Sequence, residues 1–222
     1  YGEGIWILPG KDYHASKSIL VEFKDYLLVV EAPDSEERSL AVIRAIHKLV
    51  PGKPIRYIVN THTHFDHSGG LRTYVAEGAT VVTWEGNVCY YNQVWSNPHT
   101  IHPDRLTLSK RVPVFECLIG SRTFTDGNQE AVVFHYAGNF HNPGMLGVYL
   151  PKQRALIEAD SFNPQPDPQE PPTAIPNLIQ FYGAVEKLGL AVDQIIPIHG
   201  RIVPFSEGLK DIEAYKDAQL WQ

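Results

Sequence analysis

Long apolar runs are missing from this sequence. None approaches the ~20 residues that a membrane-spanning helix needs, so no transmembrane segment is expected. No secretory leader is visible either. The chain starts at Tyr1 and its only methionine is Met145, so an upstream leader or domain is expected beyond the single domain of residues 1–222. Cysteine is scarce. Cys89 and Cys117 form no C-x-x-C pair and no metal spacing, so both are expected as buried free thiols. Lysine and arginine form no block, and the net charge is −6. Nucleic acid is therefore not an expected partner, because phosphate binding needs clustered cations.

What is present reads as a globular α/β chain with a real core: 43% hydrophobic residues leave enough apolar surface to bury. Residues 18–23 (SILVEF) and 26–31 (YLLVVE) flank Lys24-Asp25 as a β-hairpin. Pro33-Asp34-Ser35 opens a helix with Glu36 and Glu37 in its first turn; Leu40, Ile43, Ile46, His47 and Val50 carry it to Pro51-Gly52. Residues 55–59 form a short strand, 71–76 a helix closed by Gly78, and 80–83 the next strand, a unit that favours parallel pairing. A helix is expected to about Trp95, followed by an irregular segment to Lys110. Strands follow at 132–136, 146–150, 155–158 and 195–198, and helices at 178–188 and 207–218. The proline-dense stretch 163–176 is expected as a stiff surface loop. Strands flanked by helices on both sides imply a layered domain.

Histidine is the unusual residue, with ten copies, and four chemistry-bearing side chains crowd into THTHFDHSGG, residues 61–70. Alternate residues of an extended segment point the same way, so His62 and His64 project together and Asp66 follows on that side. His67 lies where the chain turns into Ser68-Gly69-Gly70, glycines that allow a tight bend. The cluster reaches two adjacent metal positions but fills neither, since each zinc takes about four ligands at ~2.0–2.2 Å. The rest of the chain adds three candidates, each just past an expected strand: His141 in AGNFHNPG, Asp160 ending ALIEAD and His199 ending IIPIHG. Ligands gathered at the C-terminal ends of strands are the pattern of a site at a sheet edge.

This ordered set, H-x-H-x-D-H, then His141, Asp160 and His199, resembles the metallo-β-lactamase-fold superfamily of metallohydrolases, from about Ser18 to the end. The resemblance implies a four-layer αββα sandwich with a dinuclear site. His62, His64 and His141 would hold one ion, Asp66, His67 and His199 the other, and Asp160 would bridge them. The cofactor implied is two Zn2+, with iron or manganese as alternatives. An aspartate at 160 excludes lactamases with cysteine there as close relatives. GKPIRYIVNTHTHFDHSGGLRTYVAEGAT and LPKQRALIEADSFNP resemble bacterial exported hydrolases of unassigned substrate, which makes a periplasmic or secreted location an expectation.

The expected activity is hydrolysis of a small-molecule substrate by metal-bound hydroxide, the bond belonging to a cyclic amide, lactone, ester or thioester; a β-lactam is one candidate. Asp66 would be the catalytic residue, orienting the water and carrying its proton onward. Tyr13, His14, Asn142, Asn163, Tyr182 and Arg201 are candidates for holding substrate. Glu31 stands where the family has an aspartate that supports a ligand. The alternatives are a mononuclear-iron persulfide dioxygenase, against which the complete second ligand set counts, and a ribonuclease Z-like nuclease, against which the charge counts. His47, His99, His102 and His135 read as surface or structural groups, and Trp84, Tyr90, Tyr91 and Trp95 as core. Nothing in the sequence indicates the oligomeric state.

Overall fold

Both faces of the central strands are apolar, and the structure shows what covers each. The computed structural model describes residues 1–11, 15–167 and 175–219. In β2 (Ser18–Glu22) and β3 (Leu27–Val30), Ile19, Val21, Leu28 and Val30 point to one side, and Leu20, Leu27 and Val29 to the other. The first set meets a second sheet; the second set meets helices. Strands buried on both faces lose polar alternation and become near-continuous apolar runs.

The first sheet has the order β1 (Ile5–Leu8), β2, β3, β4 (Ile55–Val59), β5 (Thr80–Trp84), β6 (Phe115–Leu118). The hairpin pairs as expected, Ile19 opposite Val30, and β3–β4–β5–β6 run parallel. Its outer face carries α1 (Glu36–Leu49), α3 (Leu71–Glu77), α4 (Glu85–Trp95) and α5 (Arg105–Ser109). The Ser35 hydroxyl caps α1 by accepting from Arg38 N, and Gly78 closes α3 in the left-handed region, φ 101°. The second sheet has the order β12 (Val203–Pro204), β11 (Gln194–Pro197), β10 (Ala155–Glu158), β9 (Leu146–Leu150), β8 (Glu130–His135), β7 (Ser121–Thr125). The helices α6 (Ile175–Lys187) and α7 (Phe205–Gln219) pack on its outer face. The layers are α, β, β, α, as the resemblance implied.

Several expectations are corrected. The strands β6 and β7 were not foreseen. FECL and SRTFT are short, only partly buried and lie at sheet edges, where the hydrophobic signal is weak. The segment after Trp95 is not irregular throughout, because Asp104 caps α5 by accepting from Thr107 N at 2.9 Å. The proline-dense loop gives way to α6 at Ile175; Pro176 fits the first turn, where a missing N–H costs no bond. Both cysteines are free, as expected, but exposed rather than buried.

Candidate metal centre

The strand β4 carries the chain to a buried polar hinge. Asn60 donates from Nδ2 to the His62 carbonyl at 2.6 Å, and its Oδ1 accepts the Tyr91 hydroxyl at 2.5 Å. The backbone stays extended to His64 (φ −62°, ψ 147°), so His62 and His64 face the same way, their rings 4.6 Å apart. Alternation stops there. Residues Phe65–Ser68 form a one-turn helix, α2, so this turn, and not strand alternation, sets the directions of Asp66 and His67. Gly69 and Gly70 have ordinary negative φ, so their role is space: a Cβ on either would overlap Asp34 O or Ser39 Oγ.

The other donors come from the second sheet. His141 lies beyond β8, its N–H bonded to Asn139 Oδ1 at 2.8 Å; Asp160 follows β10 and His199 follows β11. Two groups form, each able to hold a metal ion: His62, His64, His141 and Asp160; and Asp66, His67, Asp160 and His199. Asp160 is common to both groups. Its Oδ2 lies 2.8 Å from His67 Nε2, 3.2 Å from His141 Nε2 and 3.4 Å from His62 Nε2.

The donor geometry fits metal ions. His62 and His141 present Nε2 atoms 3.3 Å apart, and His67 and His199 present theirs 3.2 Å apart. Two nitrogens each ~2.0–2.1 Å from one tetrahedral ion stand ~3.3 Å from each other. Outer contacts turn these faces inward: Thr61 Oγ1 lies 3.1 Å from His62 Nδ1, and Glu31 Oε2 lies 2.5 Å from His67 Nδ1. Glu31 is fully buried, holds φ 75° and also accepts Thr61 N at 2.8 Å.

The electrostatics differ from donor to donor. Burial, and then the neighbouring His67, push His62 down to about 2, which keeps its imidazole neutral and able to coordinate. Bonds from His199 and His67 hold Asp66 well below the usual carboxylate range. Asp160 is also depressed: burial opposes its ionisation, but bonds from His141 and His67 prevail. His67 moves the other way. Burial lowers it, yet the Glu31 charge and the bonds to Asp160 and Asp66 raise it well above its ordinary value. Three carboxylates around one buried ring make a negative pocket suited to cations.

The proposed substrate contacts separate. Asn163 Nδ2 reaches Asp160 Oδ1 at 3.4 Å, and Asn142 bonds Thr63 Oγ1 and Gly144 N within its own loop and the motif. Tyr182 is a correction: it is buried in the outer core, its hydroxyl donating to Phe205 O at 2.5 Å and its ring stacked on Phe205. Arg201 is another. Its guanidinium pairs with Glu207 and donates to Gln165 O at 2.9 Å, so its charge is already committed. Tyr13 and His14 lie outside the described residues. Among the remaining rings, His135 stacks on Trp84 and bonds Pro143 O, and Tyr91 is core as expected, whereas Tyr90 is exposed.

Some supporting residues escaped the sequence reading. Glu158 is fully buried and accepts Ser161 N at 3.0 Å and Phe162 N at 3.1 Å, enclosing the left-handed Asp160 (φ 57°). Burial pushes Glu158 up to about 8. Ser161 Oγ in turn receives Asn139 Nδ2 at 3.1 Å, tying the Asp160 turn to the His141 loop. The signal was an acid inside the apolar run ALIEAD.

Comparison with known proteins follows the same lines. The structure is similar to a metallo-β-lactamase from Pontibacter korlensis, with TM-score 0.74 and 19% identity over 97% of this chain and 96% of that one. A linear primary-alkylsulfatase from a Pseudomonas species is 34% identical over 67 residues, 30% of this chain and 10% of the sulfatase. A hydroxyacylglutathione hydrolase from Pelagibacter ubique is 24% identical over 110 residues, 49% of this chain and 36% of the hydrolase. This chain thus spans well under half of the length of either curated relative. The model of the metallo-β-lactamase superfamily matches residues 13–206, nearly the whole chain and every donor above. The chain belongs to the metallo-β-lactamase superfamily.

Proposed function

We propose that the chain is a zinc-dependent hydrolase with two ions at the paired positions, acting on a small ester, thioester, lactone or cyclic amide. The observation that carries this reading is the Asp160 carboxylate, with Oδ2 3.2 Å from His141 and 2.8 Å from His67. One carboxylate shared by two sets of nitrogen donors suits ions ~3.5–4 Å apart. His62, His64 and His141 would hold one ion and Asp66, His67 and His199 the other, with Asp160 common to both. Bound there, the ions would polarise the substrate carbonyl and lower the pKa of water towards ~7. Asp66 takes the proton. Its side chain is 36% exposed, open to the approaching substrate, and a carboxylate is ionised at neutral pH. Asn163, bonded to Asp160, orients that shared carboxylate.

The names of the two curated relatives support ester-type bonds and add a second reading, sulfate-ester hydrolysis, which rests on the 34% identical segment. The test is metal content after purification without added metal, followed by assays with a thioester, a lactone, nitrocefin and a primary alkyl sulfate. About two zinc per chain with turnover of one of the first three is the expected result; turnover of the alkyl sulfate alone selects the second reading. One iron per chain, with oxygen consumed on glutathione persulfide, would overturn both. Asp66→Ala should keep the fold and lose about 100-fold or more in kcat; full activity would remove Asp66 from its role.

A further inference from the structure

Residues Ser16 and Lys17 lead into β2 and belong to no ligand motif, yet they touch both sides of the second metal position. The Ser16 hydroxyl, buried, donates to the Asp66 carbonyl at 2.9 Å. Lys17 N donates to Ile198 O at 3.1 Å, crossing from the first sheet to the turn after β11. The Lys17 ammonium then donates to three carbonyls of that turn: Pro197 at 3.0 Å, Ile198 at 3.2 Å, and Gly200. An ammonium has three donors, and here each has an acceptor flanking His199. The turn needs them. Gly200 adopts φ 87°, which helps the carbonyls converge, and oxygens converging without a donor would cost free energy. With its flanking carbonyls drawn to Lys17, the His199 backbone is held while its ring faces His67, Nε2 to Nε2 at 3.2 Å.

We propose that Ser16 and Lys17 form a clamp on the second metal position, with Lys17 the positioning residue that sets the affinity of that position through His199. The proposal rests on the two-ion reading, and the experiment separates the two. Metal-free wild-type protein is titrated with Zn2+ against a competing chelator, and with Co2+ followed by its visible absorption. Lys17→Met is treated identically, and amide exchange over residues 198–200 is measured without metal.

The expected result is two equivalents in the wild type. In K17M one equivalent keeps its affinity and the other weakens by about 10–100-fold, with a changed Co2+ spectrum and faster exchange in the turn. Should K17M fail to fold, Lys17→Arg decides. A planar fork cannot serve three carbonyls that meet at one point, so one equivalent should still weaken. Wild-type uptake of a single ion would overturn the two-ion reading and the clamp with it. Two equivalents bound equally tightly by wild type and variant would overturn the clamp alone.

Discussion

The two candidate metal positions are built to different standards. In the second, His67 is fully buried with its Nδ1 held by Glu31, the Asp66 backbone is tied to Ser16, and the His199 turn is tied to Lys17. In the first, His62 is braced by Thr61, but His141 leaves 28% of its side chain exposed. The His64 ring is exposed and makes no hydrogen bond among the described residues. A braced imidazole has already given up its rotamer freedom; an unbraced one gives it up when an ion binds. On the two-ion reading, affinity at the second position would be stored in contacts around the ligands, whereas the first would depend more on the ligands themselves.

Removing the shared group should erase that difference. Asp160→Ala deprives both positions of a donor. Metal uptake should fall at both, and kcat/KM should drop by about 1,000-fold or more, at least ~4 kcal/mol of transition-state stabilisation. Metal analysis and steady-state kinetics check it; one ion retained at wild-type affinity would mean that the positions do not share Asp160. A narrower change should separate them. Glu31→Gln keeps the size of the side chain but removes the charge facing His67. Affinity for one equivalent should fall by about 10–100-fold and leave the other unchanged. Equal losses at both would show that the bracing is not local to the second position.

The same contrast explains what could be read from sequence. The seven candidate donors were legible because the motif is local and the remaining three each follow an apolar strand. The layers were legible because runs such as SILVEF and YLLVVE carry their burial with them. Residues whose role depends on distant partners were not legible. Lys17 acquires meaning only when β11 arrives beside it, and Arg201 looks like an anchor until Glu207 is seen to neutralise it. Tyr182 follows α6 into a core that sequence position alone does not reveal. Edge strands with one well-buried residue each, such as β7, leave almost no pattern.

A pair that belongs to neither candidate position supplies the calibration. Arg72 of α3 forks onto Asp104 at the start of α5, with Nη2 to Oδ1 at 2.8 Å. The bond from Arg72, followed by burial acting against it and a bond from Thr107, leaves the Asp104 carboxyl well below its ordinary range. A carboxyl whose folded pKa is depressed adds stability that is present above the unfolded value of ~3.9 and lost as pH falls through the folded one. Asp104→Asn keeps a good helix cap but loses the charge, so the pair's contribution, discounted for its partial exposure, is about 1 kcal/mol at pH 7. Urea melts of metal-free protein should show that difference at pH 7 and a smaller one at pH 3. Both zinc affinities should stay at the wild-type value, because neither position touches this pair. If D104N weakened the second equivalent as much as Glu31→Gln does, general destabilisation rather than local bracing would govern metal binding, and the contrast between the two positions would fail.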